Sequence, residues 1–495
     1  MPKDFFASSR TTSLHTLATG SKIHVIGVCG VAMAQLAVSL AERGYHVSGS
    51  DKEFYEPMRT LLANSSVETK TGYLAEHVPL DASLVVIGNA ISYGNPEVDV
   101  IEQKNLPYTC FPKILQEVAI AGKHSIVVTG THGKSTTTAL IASLLLQHET
   151  APSYFVGGIA QGLPQSLAVG TGGFSVVEGD EYDSAFFAKV PKFSFYTPDT
   201  VVVNAIEFDH ADIYPNIEAI EQEFTKLVMG LGSTGTAVCC IDFPRVKTLV
   251  SEWANGATCR LITFGVDKDA EYRIVSRTTE GLSQEITVRN AALGELTFFI
   301  PMVGEYNARN ALAALIVSMI AGLDLSKTIR FLGEFKSVKR RQEVRAQRGG
   351  VVLIEDFAHH PTAVRETLQA VKEAFPTARI TAIFEPRSNT SRRKVFQADY
   401  VEAFKLADLA ILKDVTARSI DQGLELIDVS TLSDDITHSG VESACLPDVQ
   451  AIRERIWSSV SYSPDQSSPR EILVVMSNGS FDGLNDLLQR DLETR

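Results

Sequence analysis

Short apolar runs alternate with amphipathic stretches along most of the chain, and the runs repeatedly end in a glycine-containing turn. Ile23-His24-Val25-Ile26 ends at Gly27; Met33, Leu36, Ala37 and Leu40 then recur at helical spacing, and Gly44 suits the helix stop. A second strand is predicted around Tyr45 to Gly49, ending at Ser50-Asp51, and a third from Leu84 to Ile87, ending at Gly88-Asn89-Ala90. The pattern restarts near residue 120. Ser125 to Val128 reads as a strand, Thr129 to Ser135 as a glycine-containing turn, and Leu140, Ile141, Leu144 and Leu145 as the apolar face of a helix. Strands from Phe174 to Val177 and from Thr200 to Val203 follow, ending at Glu178 and Asn204. Residues 230–300 are richer in β-type residues and turns and predict a small antiparallel excursion, closed by a helix from about Asn307 to Ala321.

After Lys339-Arg340-Arg341 a third round begins, with strands predicted at Val351 to Ile354, Ile380 to Phe384, Leu409 to Leu412 and Ile472 to Val475. Ser461 to Ser468 is expected to be an exposed loop. Strand, turn and helix in this repetition predict an α/β fold with mostly parallel sheets. The restarts divide the chain into residues 1–112, 113–336 and 337–495, three domains being the ordinary expectation for 495 residues.

Composition narrows the class. Hydrophobic residues are 44% and charged residues 21%, the balance of a soluble globular protein. The formal charge of -14 repels phosphate polymers, so nucleic acid is not an expected partner, while a local basic pocket for a small anion stays open. Six scattered cysteines without CxxC spacing imply reduced thiols rather than a disulfide scaffold or structural zinc. No secretory h-region and no long uncharged apolar run is present, so a cytoplasmic protein without a membrane partner is expected.

Gly130-Thr131-His132-Gly133-Lys134-Ser135-Thr136 follows a strand and opens a helix. Glycines let backbone N–H groups wrap a phosphate, and the helix N-terminus adds about half a positive charge. Lys134 can reach the β- and γ-phosphates of ATP, and Ser135 can hold Mg²⁺. Val128 stands where a full Walker loop has its first glycine, so the loop is a shortened variant. Glu178, at a neighbouring strand end, can complete the Mg²⁺ coordination begun by Ser135. His210, in Glu207-Phe208-Asp209-His210, is a candidate for a second metal or for orienting substrate. Asp180, Glu181 and Asp183 follow Glu178 and stay undecided, since a solvated loop has the same composition.

Gly27-Val28-Cys29-Gly30 occupies the first strand–helix turn without forming a GxGxxG fingerprint. With Asp51 at the end of the second strand it points to a nucleotide diphosphate site of open identity.

These constellations, in this order, resemble the Mur ligase family, the ATP-dependent amide ligases of peptidoglycan assembly. GTHGKSTTT, Glu178 in VVEGDEYD, His210 in EFDH, GEYNARNALAA and DFAHHPT (Asp356 to Thr362) carry the resemblance across nearly the whole chain. It implies a Rossmann-like UDP-sugar domain, a central P-loop ATPase-like α/β domain and a C-terminal Rossmann-like α/β domain with the acceptor site. Within the family, GVCGVAM, IGNAISYGNPE, FEPRSNT and VMSNGSFDGL resemble the members that recycle the tripeptide L-Ala-γ-D-Glu-meso-diaminopimelate onto UDP-N-acetylmuramate. The members that add free L-Ala would be expected to show a GxGG-type first turn and a QPHR-type stretch where Glu385-Pro386-Arg387 stands.

The resemblance implies that a lactyl carboxylate attacks the γ-phosphate of ATP, giving an acyl phosphate that the incoming amine displaces. It implies Lys134, Glu178 and His210 as catalytic residues, with Ser135, Glu178 and His210 on metal. Asn307, Asn310, Arg341 and Asp356 are implied as further ATP contacts. Cys29, Gly30, Asp51, Asn89 and Ala90 are expected to line the UDP-sugar cleft. Arg387, with Ser388 and Asn389, is the candidate for a peptide carboxylate by charge and fork geometry. Tyr306 stands where the family usually has His before Asn307. Related ligases can carry a carbamylated lysine near the site; Lys226 is the only nearby candidate and is not assigned that role.

Overall fold

The computed structural model describes residues 12–209, 213–415, 425–466 and 468–495. The chain forms two compact units: Met1–Glu207, Asn216–Glu271 and Ala313–Thr328 make the first, and Phe208–Pro215, Tyr272–Leu312 and Ile329–Arg495 the second.

Among the described residues the first unit holds two large sheets and a separate two-stranded hairpin. One comprises β1 (Lys22–Ile26), β2 (His46–Asp51), β3 (Glu68–Thr71), β4 (Leu84–Ile87) and β5 (Tyr108–Cys110), all parallel, in the order β3-β2-β1-β4-β5. Ile23 to Ile26 and Leu84 to Ile87 are fully buried, as expected of strands covered on both faces. Helix Val31–Glu42 buries Met33, Leu36, Ala37 and Leu40, the stripe visible in the sequence. Strand order reverses between β1 and β4, and the turns after these two strands flank the crevice where such sheets bind ligands.

The other sheet of this unit contains β6 (His124–Thr129), β7 (Ser153–Phe155), β8 (Leu167–Ala168), β9 (Phe174–Glu178), and, after a short hairpin of β10 (Asp183–Ala185) and β11 (Ala188–Pro191), β12 (Thr200–Val203), β13 (Thr236–Cys240) and β14 (Arg260–Gly265). Its order is β14-β13-β12-β6-β9-β7-β8, parallel except for β8. β6 lies between β12 and β9, which brings their carboxyl ends to one edge.

In the second unit, β15 (Tyr272–Glu280), β16 (Ser283–Asn290) and β17 (Gly294–Ile300) form an antiparallel meander. The antiparallel excursion is thus shorter than the sequence pattern suggests. β13 and β14 are parallel strands, β13 buried throughout, and only residues 272–300 turn antiparallel. The last sheet contains β18 (Glu343–Arg348), β19 (Val351–Asp356), β20 (Arg379–Phe384), β21 (Leu409–Lys413), β22 (Glu442–Leu446) and β23 (Glu471–Met476). Its order is β18-β19-β23-β20-β21-β22, with only β18 antiparallel. Alternate residues of β19 feed two cores: Val352 and Ile354 one, Val351 and Leu353 the other. Ser461, Ser463, Pro464, Asp465 and Ser468 are exposed and outside regular structure, as expected, while the half-buried Tyr462 among them packs on the second of these cores.

Candidate active site

The phosphate-type loop is set by backbone crowding. Gly130 has φ of +120°, and a Cβ there would lie 2.6 Å from the Ala205 amide nitrogen, so no larger residue fits. Thr131 donates its amide to the Ala205 carbonyl at 2.8 Å, and its hydroxyl accepts the Glu207 amide at 2.9 Å. His132 Nε2 stands 2.7 Å from Glu207 Oε2. Gly133, at φ of +79°, opens helix Lys134–Gln147 without any side-chain cap. First-turn amides of that helix therefore present donors to an anion. Val128 belongs to β6 and pairs with both Glu178 and Val202, so the strand occupies the place of the first Walker glycine.

Ser135 Oγ donates to Glu178 Oε1 at 2.8 Å, and the Gly157 amide donates to Glu178 Oε2 at 2.6 Å. Burial raises the Glu178 carboxyl above its usual range, against the opposing pull of Lys134 and the Gly157 amide. The oxygen donors of Ser135 and Glu178 are hard ligands that fit Mg²⁺. Lys134 Nζ donates to Glu181 Oε1 at 2.9 Å and Oε2 at 2.7 Å, with Asp180 Oδ1 at 3.6 Å. Burial works against this ammonium, but Glu181, then Asp180 and Glu178, hold its pKa above the normal value. Lys192 pairs with Asp180, and Lys189 with Asp183. The undecided acids after Glu178 are thus engaged with lysines rather than solvated. His210 lies outside the described residues.

Lys226 sits far from this edge. It pairs with Glu223 at 2.6 Å and lines a groove of about 610 Å³ with Lys123 and Asp199, at the amino end of β12. The loop opens at the carboxyl end of β6, a parallel neighbour, so Lys226 belongs to the opposite end of the sheet.

In the first sheet, the Cys29 amide donates to Asp51 Oδ2 at 2.8 Å. Asp51 Oδ1 accepts the Tyr73 hydroxyl at 3.0 Å and the Lys52 amide at 2.8 Å. Asp51 therefore braces the turn itself. Cys29 is buried, which pushes its thiol pKa up, and the thiol lies 3.4 Å from the Tyr55 amide. Gly30 opens helix Val31–Glu42 without a side-chain cap, Asn89 is half-buried and Ala90 is exposed.

In the second unit, Asn307 and Asn310 are buried; Asn307 donates to the Val303 carbonyl at 2.8 Å and Asn310 to Asn307 Oδ1 at 3.3 Å. Arg341 lies over the Phe357 ring and Asp356 accepts the Gln342 and Ala358 amides, each at 2.8 Å. Arg340, its neighbour, ties Glu355 and the Ser477 and Gly479 carbonyls together and also lies over the Phe357 ring, so it is a structural anchor. Tyr306 is half-buried beside Thr367 and Asp356, and desolvation of its hydroxyl drives that group's pKa well up. Arg387 is exposed and its guanidinium lies against Gly479, where an added Cβ would collide with it. Ser388 Oγ bonds Ser391 Oγ at 2.9 Å, Asn389 is half-buried, and Thr390 bonds Asp209. The structure therefore joins Lys134, Ser135 and Glu178 at one sheet edge, Cys29 with Asp51, and Asn307 with Asn310. Sequence spacing gave no sign of Glu207 as a partner of His132.

Three family descriptions match along the chain: "Mur ligase family, catalytic domain" over residues 22–123, "Mur ligase middle domain" over 128–318 and "Mur ligase, glutamate ligase domain" over 340–478. The chain is 32% identical to the UDP-N-acetylmuramate–L-alanyl-gamma-D-glutamyl-meso-2,6-diaminoheptandioate ligase of Escherichia coli (strain K12), over 94% of this chain and 97% of that one. The chain belongs to the Mur ligase family. Mur ligases are ATP-dependent ligases that form amide bonds, and this protein is an enzyme of that class with the family's three α/β domains. A crystal structure of a murein peptide ligase from Psychrobacter arcticus 273-4 is similar at 29% identity and a TM-score of 0.69, covering 96% of this chain and 99% of its own. The UDP-N-acetylmuramate–L-alanine ligase of Salinibacter ruber is also 32% identical, over 80% of each chain. Among the described residues no helix is long and apolar enough to cross a membrane.

Proposed function

We propose that this Mur ligase joins the tripeptide L-Ala-γ-D-Glu-meso-diaminopimelate to UDP-N-acetylmuramate in peptidoglycan recycling, in the cytoplasm. The observation that carries the reading is the near full-length match to a ligase whose name states that acceptor, with the FEPRSNT and VMSNGSFDGL stretches pointing the same way. Residues 1–112 would bind UDP-N-acetylmuramate, 113–336 ATP, and 337–495 the acceptor peptide.

The chemical difficulty is bringing a carboxylate to a triphosphate. Lys134 and the amides of Gly130 to Thr136 supply positive potential for the β- and γ-phosphates. Ser135 and Glu178 would hold Mg²⁺, with His210 assigned by resemblance to a second ion; bound there, the ion neutralises phosphate charge as a Lewis acid. The lactyl carboxylate attacks the γ-phosphorus, ADP leaves, and the acyl phosphate forms. The amine of the acceptor's L-Ala then attacks the acyl carbon, and orthophosphate leaves with the amide bond made. Asn307, Asn310, Arg341 and Asp356 are proposed for the nucleotide, with Asn307 and Asp356 acting through the turns they brace. Cys29, Gly30, Asp51, Asn89 and Ala90 are proposed for the UDP-sugar, and Arg387, Ser388 and Asn389 for the acceptor.

The likeness to the Salinibacter ligase favours a second reading, in which free L-Ala is the acceptor. ADP release with UDP-N-acetylmuramate separates the two. Turnover with the tripeptide is expected; turnover with free L-Ala alone would replace the recycling assignment.

A further inference from the structure

Lys134 is the cation a triphosphate would meet in the loop, and a buried carboxylate holds it. Its Nζ reaches both oxygens of Glu181, at 2.9 and 2.7 Å, while Asp180 stands at 3.6 Å. Glu181 is only 2% exposed. A carboxylate so placed cannot exchange its ammonium for bulk water, and so keeps it until a stronger competitor arrives. When ionised, Lys134 and Lys192 face Glu178, Asp180 and Glu181 in this cluster, two positive groups against three negative. With all five ionised, the cluster carries a net negative charge.

We propose that Glu181 is a latch on Lys134: it holds the ammonium in the free enzyme and competes with the β- and γ-phosphates for it. ATP binding then requires Lys134 to pass from carboxylate to phosphate, and product release is assisted by its return. Glu181 is in this sense a positioning residue that acts through Lys134. The latch keeps the loop lysine ordered and lowers affinity for any anion that brings too little charge to win it. The inference rests on reading Gly130 to Thr136 as the triphosphate loop.

Calorimetric titration of the whole enzyme with a nonhydrolysable ATP analogue and Mg²⁺ tests it. Glu181→Gln is expected to bind about tenfold more tightly than the wild type, and its unfolding temperature should rise more on adding nucleotide. Asp183→Asn, which removes a nearby charge that serves Lys189 instead, is expected to leave the affinity unchanged. A residue of merely structural importance would weaken binding when altered. Affinity of Glu181→Gln equal to or below wild type, or equal tightening in Asp183→Asn, overturns the latch. If Glu181→Gln does not fold, Glu181→Asp decides: its shorter reach should still tighten binding, and wild-type or weaker affinity overturns the proposal. Undiminished binding by Lys134→Ala would instead show that the loop reading itself has failed.

Discussion

The Ser135 hydroxyl donates to Glu178 across 2.8 Å, joining the first turn of a helix to the end of the neighbouring strand β9. The two side chains come from positions 43 residues apart and meet because β6 and β9 pair in parallel. Metal binding would replace that bond with two oxygen–cation contacts. Glu178 lies buried at this edge, and that burial raises its carboxyl above the usual range.

Glu178→Gln is expected to lower ligation on the order of 100-fold while raising stability at neutral pH. The sign follows from burial. The folded carboxyl has a raised pKa, so the folded state binds its proton more tightly than the unfolded chain does. Ionised Glu178 thus costs stability above the folded pKa. The cost fades as pH falls through that value and vanishes below the unfolded value of about 4.3. Thermal unfolding of both proteins across pH 4 to 8 checks this; equal stability at pH 8 would contradict it.

Lys134→Ala should nearly abolish activity while the fold persists, at a cost of about 3 kcal/mol because the buried Glu181 carboxylate loses its ion pair with this ammonium. Adding Glu181→Gln to that variant should restore much of the stability and none of the activity. Urea unfolding and ADP release measure the two effects separately. Full ligation by a folded Lys134→Ala protein would remove the phosphate loop from the mechanism.

Much of this arrangement was legible in the sequence, for a physical reason. Strands buried on both faces appear as unbroken apolar runs, as in Thr200–Val203 and Leu84–Ile87. The polar edge strand Glu343–Arg348 has no such run: it pairs antiparallel with β19 and adds a cross-strand ion pair from Arg345 to Glu355, so no apolar pattern marked it in the sequence. Thr236–Cys240 is buried throughout, yet the turn-rich residues that follow it suggested an antiparallel region. Gly130, Lys134, Ser135 and Glu178 were legible because strand ends collect chemistry. The pairing of Glu181 with Lys134 was not, because loop acids reveal their partners only in three dimensions.

Asp51→Ala should raise KM for UDP-N-acetylmuramate about tenfold with little change in kcat. It removes the acceptor for the Cys29 and Lys52 amides and the Tyr73 hydroxyl, so the turn after β1 loses its brace. A stability loss of about 1–3 kcal/mol should accompany it. Steady-state kinetics with each substrate varied in turn distinguishes this from a catalytic defect, which would lower kcat instead.

Glu97 offers a test of how far such bracing extends. It is fully buried and accepts the Ser50 hydroxyl at 2.5 Å, with His24 Nε2 at 3.9 Å and His77 Nδ1 at 3.6 Å. The Ser50 carbonyl in turn accepts the Gly27 and Val28 amides at 2.9 and 3.0 Å, so this carboxylate supports the same turn from behind. Glu97→Ala leaves the hydroxyl without its acceptor and opens a polar void. It is expected to destabilise by about 1–3 kcal/mol and to raise KM for the UDP-sugar without altering KM for ATP. Unfolding curves and the two KM values decide the matter. A variant that lost stability while keeping both KM values would confine Glu97 to the core, and one that raised both alike would show a global loosening of the first unit rather than a local effect on the turn.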